Sequence, residues 1–72
     1  MKELTSESIR LALRHFGKGG QEISHAMLFD ALGLTEEGDK ARLRNRINDM
    51  ARMGEVVKIR PGAYTYNFSY RP

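Results

Sequence analysis

Between Lys40 and Arg60 the chain gathers side chains whose chemistry suits a polyanion. Arg42, Arg44, Asn45, Asn48 and Arg52 fall in one stretch, Lys40 precedes them, and Lys58 and Arg60 follow. Arginine can pair bidentately with guanine O6 and N7, asparagine can do the same with adenine N6 and N7, and lysine or arginine neutralises phosphate. Other reactive groups are poorly placed. His15 and His25 stand ten residues apart with no cysteine and no third ligand at useful spacing, so no metal site is expected and both are read as surface residues. Ser24-His25 pairs a nucleophile with a base, but no orienting acid or oxyanion motif accompanies them. Gly17-Lys18-Gly19-Gly20 lacks the spacing and the Ser/Thr of a phosphate loop. The chain is therefore expected to be neither an enzyme nor a cofactor carrier.

Charge is distributed unevenly. Residues 1–38 hold four Lys/Arg (Lys2, Arg10, Arg14, Lys18) against six acids (Glu3, Glu7, Glu22, Asp30, Glu36, Glu37), a balance of −2. Residues 39–60 hold seven Lys/Arg against Asp39, Asp49 and Glu55, a balance of +4. Such asymmetry suits a face that meets a polyanion. The competing reading is a solvated helix surface with ion pairs three residues apart, such as Arg42 with Asp39 or Arg46 with Asp49. Arg46 lies near the apolar stripe and is read as a packing or phosphate residue, and Asp49 either as a restraint on Arg52 or Arg46 or as a group that rejects wrong sequences.

These side chains need elements to position them. A first helix is expected from a cap at Thr5, with Leu4 and Ile9 as a hydrophobic staple and Ile9, Ala12, Leu13 and Phe16 as its apolar stripe. Gly17 is its expected stop. Ser24 looks like the cap of a short second helix, with Ile23 and Leu28 as staple. Gly33 closes that helix, and Leu34 folds back in a Schellman ending. Thr35 to Gly38 reads as a turn leading to a cap at Asp39, with a one-turn extension from Thr35 as the alternative. From Lys40 to Met53, Leu43, Ile47 and Met50 recur at i, i+4, i+7, and Gly54 ends this longest helix. The period then changes to two: Val56 to Arg60, a turn at Pro61-Gly62, and Tyr64, Tyr66 and Phe68 alternating with polar residues. Those three aromatics are expected mainly as a face packed on the helices, while Tyr70 is assigned no role.

With 72 residues and no cysteine, the chain suits one small domain held by packing alone, spanning 1–72. Such a domain buries only about 60% of its unfolded surface, which favours a binding surface over a deep cleft. The start of the chain lacks the apolar core of a signal peptide, and no run approaches the roughly 20 apolar residues of a membrane span. A cytoplasmic, soluble chain with no membrane contact is expected.

The order helix, optional strand, helix, helix, strand, strand resembles the winged helix-turn-helix domain of bacterial and phage transcriptional regulators. The resemblance is carried by Ala31-Leu32-Gly33-Leu34 closing the second helix, by the Leu43, Ile47, Met50 stripe running into Met53-Gly54-Glu55-Val56-Val57, and by the hairpin Lys58 to Tyr66. It implies an α+β winged helix that binds double-stranded DNA, with helix 39–53 in the major groove and hairpin 55–68 as the wing. Carried over by position, Lys40, Arg42, Arg44, Asn45, Asn48, Arg52, Lys58 and Arg60 become the DNA contacts, and three states stay open for the chain: a homodimer, a weakly binding monomer, or one part of a larger protein assembly. The Thr35 to Gly38 stretch is longer than the usual family turn and blurs where the third helix begins. Two other readings stay open: a winged-helix module that binds protein without DNA, and one that binds RNA.

Overall fold

A computed structural model describes residues 4–71. Lys2 and Glu3, counted in the charge balance, lie outside the described residues. The elements run α1 (Ser6–Gly17), β1 (Ile23–Ser24), α2 (His25–Ala31), α3 (Glu37–Met53), β2 (Val56–Arg60) and β3 (Ala63–Tyr66). The result is a small α+β arrangement of three helices and one three-stranded antiparallel sheet, compatible with the winged-helix layout.

The α1 cap forms at Thr5. Its hydroxyl accepts from the Ser8 amide at 3.1 Å, and Ser8 Oγ accepts in return from the Thr5 amide at 3.1 Å. This is a capping box with serine in the place more often held by Glu or Gln. Ile9 and Leu13 are fully buried, and Ala12 and Phe16 pack at their edge. Gly17 does not act as a left-handed stop, because the positive φ of +72° comes later, at Gly20. Gly17 is instead the last helical residue, and a Cβ there would lie 3.1 Å from Tyr66 Cβ and 3.4 Å from the Phe68 ring. Its missing side chain is what lets α1 approach the end of β3.

Ser24 caps α2, its hydroxyl accepting from the Met27 amide at 3.3 Å. The helix closes as expected: Gly33 has φ +67°, the Leu34 amide donates to Phe29 O at 2.8 Å, and the Gly33 amide donates to Asp30 O at 3.2 Å. Those two bonds are the pair that defines a Schellman ending. The third helix starts two residues before the expected Asp39 cap. Glu36 is its cap, without a side-chain bond, and the Lys40 amide donates to Glu36 O at 3.0 Å. Glu37 and Asp39 suit the positive end of the helix, which offsets the cost of about 1 kcal/mol for Gly38.

After Gly54, at φ +93°, the chain enters the hairpin. Val56 pairs with Tyr66, Lys58 with Tyr64 and Arg60 with Ala63, and the register shifts between Lys58 and Arg60, so Ile59 is an extra residue in β2. Gly62 supplies the φ of +81° that the second central position of the Pro61-Gly62 turn requires. The strand order is β1-β3-β2, leaving β2 at one edge. The hairpin ends at Tyr66, short of the expected Phe68, because Asn67 turns the chain. Its amide donates to Glu55 O at 3.0 Å, its Nδ2 donates to Gly54 O at 2.9 Å, and its Oδ1 accepts from the Ser69 amide at 3.0 Å. Phe68 is thus outside the core, exposed and edge-on to Tyr66, whereas Tyr64 is buried as expected.

The core is Ile9, Leu13, Ile23, Leu28, Leu43, Ile47, Met50, Val56 and Tyr64, drawn from all three helices and all three strands. It fixes which sides of α3 and the hairpin face outward.

Candidate nucleic-acid interface

With Leu43, Ile47 and Met50 buried, a helix turning about 100° per residue carries its other side chains on two flanks and an outer ridge. Lys40 and Arg44 share the flank toward α2. Lys40 Nζ lies 5.3 Å from the centroid of the Phe29 ring, and the Arg44 guanidinium lies 5.9 Å from it. Arg42 and Arg46 occupy the opposite flank, toward the start of α1, where Arg46 Nη1 donates to Ser6 Oγ at 3.0 Å. Asn45, Asn48 and Arg52 form the ridge between them and are exposed. The outer surface of α3 is therefore a ridge with a cationic flank on either side.

Not all of these cations are equally free. Arg42 is 3.9 Å from Asp39, Lys40 is 3.7 Å from Glu37, and Arg52 pairs with Asp49. Such exposed pairs contribute only about 0–1 kcal/mol and exchange readily. Arg60 is held more firmly, its two terminal nitrogens donating to Glu22 at 2.5 and 2.8 Å. Of the eight expected contacts, Arg44 and Lys58 have no carboxylate partner among the described residues, and Asn45 and Asn48 make no side-chain hydrogen bond there.

Arg44 and Lys58 come from different elements yet act on one side chain. His25, the first residue of α2, stacks on Phe29 at 6.2 Å between centroids and tilts against Tyr64 at 5.2 Å. Burial, then Arg44, then Lys58 hold its imidazole below the ordinary histidine value. Its Nε2 is buried with no hydrogen-bond partner among the described residues. The expectation of a surface histidine is corrected here: His25 is half-buried, because its ring packs on Phe29 and Tyr64.

No protein family, no characterised protein and no solved structure matches this chain.

The interface accordingly rests on its own geometry. Sequence reasoning missed the supporting rings of His25 and Phe29, whereas Tyr64 was expected in the packed aromatic face. A signal was present in the spacing of His25 and Phe29, one helical turn apart and off the Leu28 stripe. Among the described residues, no helix is long and apolar enough to cross a membrane.

Proposed function

We propose that this chain is a winged helix-turn-helix domain that binds double-stranded DNA and regulates transcription, with α3 in the major groove and the β2–β3 hairpin as the wing. The observation that carries the reading is that Arg44 of α3, 5.9 Å from the Phe29 ring, and Lys58 of β2, the cross-strand partner of Tyr64, flank His25, which packs on both rings, and that neither cation has a carboxylate partner among the described residues. Two separate elements thereby present unspent positive charge on one side. The ridge beside it offers Asn45 and Asn48 with free amides, the side chains suited to adenine N6 and N7. In the major groove the two flanks of α3 would face phosphates on either side, with Lys40, Arg42 and Arg52 exchanging their helical carboxylates for phosphate. Arg60 joins only on release from Glu22.

A test of base readout is selection of preferred duplexes from a random pool, followed by binding of Asn45→Ala. The variant is expected to lose about 1–3 kcal/mol on the preferred site and to relax preference at one base pair, with its salt dependence unchanged. Equal loss on every sequence would instead make Asn45 a phosphate contact.

The alternative, a protein-binding module without DNA, draws on one observation. Val57 and Ile59 on the edge strand β2 are 50% and 46% exposed, and an apolar edge can pair with another chain. That reading predicts no duplex binding at low salt.

A further inference from the structure

The side of α1 turned away from the core is not the polar surface that a short helix needs if it faces water alone. Leu11 at its centre is 60% exposed. Ser8, Leu11 and His15 follow one another in steps of three and four, the spacing of a helix–helix seam, and Leu4 stands just before the helix at the same end. With Leu32 and Leu34 from the end of α2 they line an open, mainly apolar groove of about 520 Å³. None of its lining residues belongs to the cationic side formed by Lys40, Arg44 and Lys58. The groove is a second feature, separate from the proposed DNA surface.

Charge says what fits it. Glu7 precedes the seam position Ser8, and Arg14 precedes the seam position His15, so the two flank the same side of the seam one heptad apart. Both are exposed. Arg14 has no ion-pair partner among the described residues, and Glu7 has only Arg10 at 3.5 Å. In an antiparallel pair of identical helices, residues at such positions meet across the seam. Glu7 of one copy then lies against Arg14 of the other, and two-fold symmetry makes the contact twice. A parallel pair would bring Arg14, His15 and Lys18 of both copies together. Antiparallel packing also sets each helix dipole against its opposite.

We infer that the groove is covered by a second copy of this chain, α1 packing antiparallel on α1 about a two-fold axis near Leu11. The inference stands apart from DNA binding, and its test uses none. Sedimentation of the full chain over about 5 to 500 µM, the range in which weak association is read, is expected to show a monomer–dimer equilibrium. Leu11→Asp should be monomeric throughout with its helical circular dichroism spectrum retained, since Leu11 is outside the core. Glu7→Arg and Arg14→Glu should each weaken the dimer about tenfold, by turning two attractions into two repulsions, and combining them should restore it to within about threefold. A wild-type chain that stays monomeric at every concentration would overturn the inference and leave the groove to another partner. A dimer indifferent to Leu11→Asp would place the contact elsewhere. Failure of the double exchange to restore association would overturn the antiparallel arrangement.

Discussion

Glu55 sits at the junction of α3 and β2 with 2% of its side chain exposed, ringed by two partners that lie far away in sequence. Arg10 Nε donates to it at 2.5 Å and Arg10 Nη2 at 3.3 Å, and the Tyr66 hydroxyl donates at 2.9 Å. Arg10, then the Tyr66 hydroxyl, hold the carboxyl below the ordinary glutamate range against the opposing effect of burial. Because folding favours the ionised form, its stabilisation is complete above the unfolded value of about 4.3 and is lost as the pH falls through the lower folded value. Urea unfolding at pH 7 should show Arg10→Met to be destabilised by roughly 3 kcal/mol, since a buried carboxylate loses its cation. Glu55→Gln should flatten the acid limb of stability against pH. An Arg10→Met variant as stable as wild type would show that water serves Glu55 equally well. None of this network was legible in the sequence, where Glu55 read as one acid among basic neighbours. Its partner is 45 positions away, and only the packing of α1 against β3 brings the two together.

At the level of elements, the sequence was most informative where a local bond closes a local structure. Thr5 and Ser24 as caps, the Gly33-Leu34 ending and the Pro61-Gly62 turn each depend on residues within a few positions of one another, and each forms where it was expected. The failures share a cause in tertiary contact. Gly17 is glycine because of Tyr66 and Phe68, and β3 ends at Asn67 because that side chain reaches Gly54. The early start of α3 is different: no strong capping side chain marks it, so the sequence favoured a cap at Asp39 over the extension from Thr35. The same absence is an opportunity to stabilise. Glu36→Ser places a hydroxyl at the cap, where Ser is strongly favoured, and should raise stability by about 0.5–1 kcal/mol with a corresponding rise in melting temperature. A fall in melting temperature would mean that the carboxylate of Glu36 already serves the helix end better than a hydroxyl.

For the molecule as a whole, the reversal of charge near residue 39 was plain in the sequence, but its arrangement was not. Folding sends Arg42 and Arg46 to one flank of α3 and Lys40 and Arg44 to the other, and it ties Arg60 to Glu22 of the acidic half. Among the cations expected as contacts, Arg44 and Lys58 alone have no carboxylate partner among the described residues, and the proposed DNA surface depends on them. Fluorescence anisotropy with labelled duplex DNA at about 50 and about 200 mM salt measures this directly, because each phosphate contact adds about 0.9 to the salt slope. Wild type is expected to bind at low salt and weaken steeply, and Arg44→Ala combined with Lys58→Ala should bind less tightly with a slope shallower by roughly 2. No binding by wild type at the lower salt, or the same slope in both proteins, would contradict the account.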